Sequence, residues 1–191
     1  MNIASLVAVL GSVTPPGRSL KAMEFVVRCA HEEAPGVDAQ LINLRDYRIS
    51  FADGRSPREY SDDTESVVRV IADATAVIFA SPVYRGSFTG SLKNLLDQLP
   101  VEALMGKPCG IVAIGATDHH FLGVDWHLRD VLGWFGALVA PTSVYLSAQD
   151  FAQGEPTAAA LTQLRELVRT VIKLRAAAGA VGPIPLAARN R

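Results

Sequence analysis

Residues 3–20 read IASLVAVLGSVTPPGRSL, and this stretch decides the fold. From Ile3 to Leu10 the run is apolar almost throughout instead of alternating, the pattern of a strand covered on both faces of a parallel sheet. It stops at Gly11-Ser12 and gives way to a Ser/Thr/Pro/Gly loop closed by Arg18-Ser19. Leu20, Met23, Val26, Val27 and Ala30 then recur at helical spacing, which predicts a helix from about Ser19 to Glu33, stopped by Pro35-Gly36. A strand, a small-residue loop and a helix start direct backbone N–H groups and hydroxyls to one point, where they hold a phosphate. Ser12 and Ser19 supply hydroxyls, Arg18 complements a dianion, and the helix start adds its positive end. A polar loop merely capped by Ser19 is the plainer alternative. The loop has no lysine for G-x-x-x-x-G-K-[ST] and no G-x-G-x-x-G, so one phosphate fits it better than a nucleoside triphosphate or a dinucleotide.

Outward from this unit the pattern repeats. Val37 to Leu44 alternates apolar and polar residues, as a strand nearer a sheet edge does. A polar stretch, Arg45 to Asp63, is longer than most connections in a compact domain and reads as functional or as a subunit contact. A short helix follows from about Thr64 to Asp73. Ala76 to Ala80 is a third, wholly apolar strand that stops at Ser81-Pro82. From Phe88, the residues Leu92, Leu95, Leu96 and Leu99 share one helical face up to Pro100. Gly110 to Ile114 is a fourth buried strand, ended by Gly115-Ala116-Thr117-Asp118. The next helix carries Phe121, Leu122, Val124, Leu128, Val131, Leu132 and Phe135 and stops at Gly136. Leu138 to Leu146 reads as a fifth strand; Pro141 cannot donate to a ladder, so it belongs at an edge. A last helix runs from about Thr157 to Ala177.

Five strands alternating with helices specify an α/β fold, a doubly wound parallel sheet, because each parallel crossover needs a helix. Five strands fit the flavodoxin-like order 2-1-3-4-5, which places the second and fifth strands at the edges. It also sets the carboxyl ends of strands one, three and four side by side, so the loops starting at Gly11, Ser81 and Gly115 converge on one site. Residues 1–178 are expected to form one domain, and residues 179–191 a mobile tail or a subunit-contact arm.

Composition narrows the partners. With 49% hydrophobic residues, 19% charged residues and a net charge of -1, the chain offers no overall electrostatic case for nucleic acid or an anionic membrane. The first apolar run has no basic flank and is far too short to span a bilayer, so a cytoplasmic protein is expected. Cys29 and Cys109, without C-x-x-C spacing, read as reduced, buried thiols.

Three segments together carry a resemblance: GSVTPPGRS, ASPVYRGSFTGSLKNLLDQLP and GKPCGIVAIGATDHHFLGVDWHLRDVLGWFGA. They resemble the NADPH-dependent FMN reductases of the flavodoxin-like superfamily, and most of all the reductases of two-component alkanesulfonate monooxygenase systems. The likeness runs from Ile3 to about Phe151, with SPVYRGSFTGSLKNLLD its most specific part. It implies that Ser12, Arg18 and Ser19 hold the FMN phosphate and that Pro82, Val83, Tyr84 and Arg85 run along the isoalloxazine. Gly115, Thr117 and Asp118 complete the cofactor-binding set, the first two approaching the pyrimidine side. Gly17 stands where a serine is common, Ala116 replaces a frequent glycine, and His120 matches a histidine many members carry. Flavin chemistry belongs to the cofactor, with the protein supplying position and electrostatics, so no catalytic acid or base is assigned. Arg85 is expected to pair with the NADPH 2′-phosphate or the flavin ring.

Other constellations are weaker. Gly86 to Gly90 looks like a nucleophile elbow but is out of register, with Phe88 where serine is needed. Asp118-His119-His120 with Asp125 and His127 lacks H-E-x-x-H and reads as capping and packing instead of a metal site. A receiver domain of this topology would need acidic residues after the first strand, and Gly11-Ser12 supplies none. Trp126 and Trp134, eight apart on one helix face, read as core; the resemblance places Trp126 at a subunit interface of a homodimer or homotetramer. The leading expectation is an NAD(P)H-dependent FMN reductase, using NADPH or NADH, that feeds reduced flavin to a partner monooxygenase. The alternatives are an FMN-containing reductase of quinones, azo dyes or metal oxyanions, and a flavodoxin-like electron carrier.

Overall fold

The structure, a computed structural model, describes residues 4–118 and 121–177. The expectations for His119, His120 and the tail from Gly179 onward lie outside them. In chain order the elements are β1 (Ser5–Leu10), α1 (Arg18–Glu33), β2 (Asp38–Asn43), α2 (Thr64–Asp73), β3 (Ala76–Pro82), α3 (Gly90–Gln98) and β4 (Pro108–Ile114). They continue with α4 (Phe121–Trp134), β5 (Leu138–Val139), β6 (Val144–Leu146), β7 (Phe151–Ala152), β8 (Glu155–Pro156) and α5 (Ala158–Leu174).

The main sheet is parallel in the order β2-β1-β3-β4-β5, with β6 also paired to β4. Its central strands are continuously apolar because each serves two cores. Leu6, Ala8 and Leu10 of β1, with Ile78 of β3 and Val112 of β4, pack under α1 and α5. Val7, Val9, Phe79 and Ile111 point the other way, under α2, α3 and α4. Cys29 lies in the first core and Cys109 in the second, both fully buried, so the sheet separates them. Burial pushes the Cys109 thiol up to about 12.

Three features differ from the sequence expectations. The segment Leu138 to Leu146 is not one strand. Its ladder holds through Val139, Ala140 still donates to the Cys109 carbonyl at 2.8 Å, and pairing resumes only at Val144. Pro141 interrupts it, and the edge position tolerates the break. A small antiparallel hairpin, β7–β8, precedes α5; its strands are too short to show a period. Trp126 and Trp134 are 60% and 54% exposed, because Val124, Leu128 and Leu132 take the sheet-facing side of α4.

The long connection from Arg45 to Asp63 is anchored. The Ser50 carbonyl accepts from Asn94 and Gln98 of α3 at 3.0 Å each, and the Ala52 N–H donates to Asn94 Oδ1 at 2.9 Å. Asp62 accepts from the Ser50 amide and hydroxyl at 2.8 and 2.6 Å. Among the described residues no helix is long and apolar enough to cross a membrane.

On the first face, α5 lies directly on Gly110 of β4: a Cβ there would sit 3.1 Å from Val171, 3.2 Å from Ile78 and 3.3 Å from Leu167. Gly110→Val therefore overpacks this contact and should cost about 1–3 kcal/mol. In thermal unfolding followed by circular dichroism, that corresponds to a Tm lower by roughly 3–10 °C.

Candidate active site

The carboxyl ends of β1, β3 and β4 lie next to one another, and the loops leaving them are locked level. The Gly11 N–H donates to the Ala80 carbonyl at 2.8 Å, Val83 N–H to Ile114 at 2.8 Å, and Gly115 N–H to Leu146 at 2.9 Å. Buried Thr89 binds the first two loops together. Its hydroxyl donates to the Gly11 carbonyl, the same oxygen accepts from the Leu92 N–H at 3.2 Å to cap α3, and its N–H donates to Ser81 Oγ at 3.0 Å.

These loops enclose a cleft of about 260 Å³ lined by Ser12, Arg18, Ser19, Pro82, Val83 and Gly115, among others. Six of the expected site residues are thus brought together. Tyr84, Arg85, Thr117 and Asp118 stand outside the lining. The cleft also recruits Thr14, Asn43 and Ala116, which sequence reasoning did not assign. Asn43 was findable: the strand order puts the end of β2 beside the first loop.

Helix α1 reaches this cleft with its N-terminus free of side-chain caps. Gly17, not Ser19, is the N-cap residue, it offers no side-chain hydrogen bond, and no acidic residue lies in the first turn. Ser19 sits inside the helix, among the residues that line the cleft. By contrast, α3 and α5 are capped by Thr89 and Thr157. The leading N–H groups of α1 therefore keep their positive end for a ligand. Ser12 Oγ lies 2.8 Å from Thr14 Oγ1, which sets both hydroxyls at the loop. Among the described residues Arg18 is the one charged side chain lining the cleft, a composition that suits an anion.

The second loop ends in a tight turn, Tyr84-Arg85-Gly86-Ser87, closed by Tyr84 N–H to Ser87 O at 2.8 Å and Ser87 N–H to Tyr84 O at 3.1 Å. Arg85 and Gly86 both take positive φ, 53° and 76°, as a type I′ turn demands. A non-glycine residue there is strained and persists only because the surroundings fix it. Helix α4 provides that fixing: it approaches so closely that a Cβ on Gly123 would lie 2.2 Å from the Gly86 carbonyl oxygen. His127 Nδ1 also lies 2.9 Å from Ser87 Oγ. The side chain of Tyr84 is half exposed and that of Arg85 is exposed, which leaves both open toward solvent.

The third loop is held from behind. Tyr145 donates its hydroxyl proton to the Thr117 carbonyl and Gln149 donates to Asp118 Oδ2 at 3.0 Å. Burial, with Asp118 nearby, pushes the Tyr145 phenol above its usual pKa. A Cβ on Gly115 would fall 1.8 Å from the Tyr145 hydroxyl oxygen, so any side chain there must displace the Tyr145 ring from its place under the Thr117 carbonyl. Asp125, one of the candidates in the metal reading, is paired with Arg129 at 2.7 Å. Among the described residues no group of three or more His, Cys, Asp or Glu could hold a metal ion.

Residues 4–152 match the family model described as NADPH-dependent FMN reductase. The chain belongs to that family. It is 39% identical over 129 residues to an NAD(P)H-dependent FAD/FMN reductase of Geobacillus thermodenitrificans, covering 68% of this chain and 70% of the relative. An FMN reductase (NADPH) of Pseudomonas aeruginosa is 32% identical over 146 residues, covering 76% and 78%. An oxidoreductase structure from Corynebacterium diphtheriae superposes with a TM-score of 0.75 over 94% of this chain and all of that one, at 22% identity.

The residues of this FMN reductase fit a flavin mononucleotide. An uncapped helix start, hydroxyls at Ser12, Thr14 and Ser19, and one arginine suit a phosphate dianion; Pro82, Val83 and Gly115 add uncharged lining that suits an aromatic ring. A Cβ at Gly17 would meet only the Pro15 carbonyl, at 3.9 Å, so a serine fits at this N-cap. Gly17→Ser adds a hydroxyl at the anion end of α1 and should tighten the FMN Kd measured by fluorescence titration by roughly two- to five-fold; a weaker Kd with a raised Tm would show that the serine caps the helix instead. Thr89→Val removes the cap of α3 and the bond to Gly11; a loss of about 2–3 kcal/mol in chemical unfolding is expected.

Proposed function

We propose that this FMN reductase serves as the reducing half of a two-component system in the cytoplasm, taking hydride from a nicotinamide and releasing reduced FMN to a partner monooxygenase. The observation that carries the reading is the free N-terminus of α1, with Arg18 as the sole charge among the described lining residues, in one cleft with Pro82 and Val83. When bound, the flavin supplies the redox chemistry, accepting hydride from the nicotinamide.

The chain's own task is positioning. Ser12, Arg18 and Ser19 hold the phosphate; Pro82, Val83 and the backbone of Gly115 and Thr117 bound the ring. Tyr84 flanks the open side of the ring. Arg85, exposed at the turn tip, pairs with the 2′-phosphate of NADPH. No residue is needed to move a proton at the reacting centre, and among the described residues none of those lining the cleft is an acid or a histidine. A shallow site walled by loop backbone suits a flavin that exchanges as substrate.

Exposed Trp126 and Trp134, with a groove of about 510 Å³ between α3 and α4 lined by Leu96, Leu99, Val131 and Phe135 together with Lys93, Asp97 and Asp130, support assembly into a homodimer or homotetramer through this face.

Steady-state NADPH oxidation with added FMN tests the activity: an FMN-dependent rate is expected, and none at micromolar enzyme rejects it. Arg85→Ala should raise the KM for NADPH about ten-fold and leave NADH unaffected, the loss expected for one charge-assisted contact. Equal losses on both cofactors would remove that assignment. Trp126→Ala should lower the mass found by light scattering; if mass and FMN turnover both stay unchanged, Trp126 has no interface role.

A further inference from the structure

Two cations stand on the first turn of α1, Arg18 and Lys21, and the β7–β8 hairpin holds both in different ways. Lys21 Nζ lies 3.3 Å from Glu155 of the hairpin and 3.7 Å from Glu24. These carboxylates hold its ammonium above the usual lysine pKa, Glu155 foremost, and they neutralise it. Arg18 instead lies over the ring of Phe151, its guanidinium carbon 5.6 Å from the centroid. Among the described residues it makes no ion pair and donates no hydrogen bond. A ring face attracts a guanidinium through its quadrupole and takes up none of its N–H donors. A carboxylate at the same place would orient the side chain equally well but would cancel its charge and occupy the donors that an anion needs.

The hairpin is built rigidly enough to do this. Ser147 and Asp150 form a capping box, with the Ser147 N–H donating to Asp150 Oδ2 at 2.7 Å. The Thr157 N–H donates to the Asp150 carbonyl at 2.8 Å. Its tip turns through Gln153 and Gly154, both at positive φ, 52° and 87°. Phe151 itself packs against the core under α1 and α5.

From this geometry we infer that Phe151 is the positioning residue for the phosphate-binding arginine: its ring holds Arg18 at the cleft with charge and donors intact, and so sets the preference for a phosphorylated flavin. The inference rests on the assignment of Arg18 to the FMN phosphate. It gives the hairpin a function that none of the loop motifs contains.

The test is equilibrium binding, read by quenching of flavin fluorescence, of FMN and of riboflavin to the full chain. Phe151→Leu keeps apolar volume and removes the ring face; it should weaken FMN about two- to five-fold and leave riboflavin unchanged. In an Arg18→Ala background the same substitution should add nothing. Phe151→Trp, with the stronger ring quadrupole, should match or tighten FMN binding without changing riboflavin, and it keeps the test decisive should the leucine variant not fold. Equal weakening of both flavins by Phe151→Leu, or a further loss of FMN in the Arg18→Ala background, would overturn the inference. So would a wild-type protein that binds FMN no better than riboflavin. A protein that discriminates the two flavins but oxidises no NAD(P)H would sink the catalytic reading and leave this one standing.

Discussion

Everything in this molecule follows from burying both faces of a parallel sheet. A strand covered on both sides has no solvated face, so β1, β3 and β4 must be apolar along their length. Functional groups are then excluded from the strands and pushed to the ends. Parallel register sets those ends side by side, and the loops of β1, β3 and β4 have nowhere to go but into one another's company. The site is thus a consequence of core packing before any ligand is considered.

Convergence alone would leave three mobile loops. What fixes them is a second set of groups that a ligand need not touch. Thr89 binds the first loop to the start of α3, α4 is pressed onto the Gly86 turn, and Tyr145 braces the third loop through the Thr117 carbonyl. Each brace is a single hydrogen bond or close approach from an element that follows the loop in sequence. The energy of each is modest, about 1 kcal/mol for a neutral bond, but each acts on backbone atoms, so the loop conformation and not merely one side chain is set.

Element types, strand order and the three converging loops were legible in the sequence because they depend on periodicity and on chain punctuation. The phosphate loop was legible for the same reason: small residues after an apolar run are a local signal. What was not legible depends on tertiary contact. The break at Pro141 required knowing that the edge strand re-enters the ladder at Val144. The exposure of Trp126 and Trp134 could not be read from their spacing, since a helix with apolar residues on more than one face does not say which face meets the sheet. Tyr145, Gln149 and Phe151 carry no motif; their meaning lies in partners 28, 31 and 133 positions away (Thr117, Asp118, Arg18).

The cleft's charge follows from the same economy. One arginine, hydroxyls and the start of α1 provide a positive field, and among the described lining residues there is no second cation and no carboxylate to cancel it. The neighbouring lysine, although one turn away, is bound to glutamate. A site built this way reads a single phosphate strongly and otherwise presents apolar and backbone surface, which suits a ligand with one charged end and one planar end. Donors left unsatisfied by the protein make the affinity depend on the anion, because the exposed N–H groups gain a charge-assisted partner only when it arrives. Affinity and selectivity are then two results of one arrangement: the fold leaves the helix start uncapped and the arginine unpaired, and the ligand completes both.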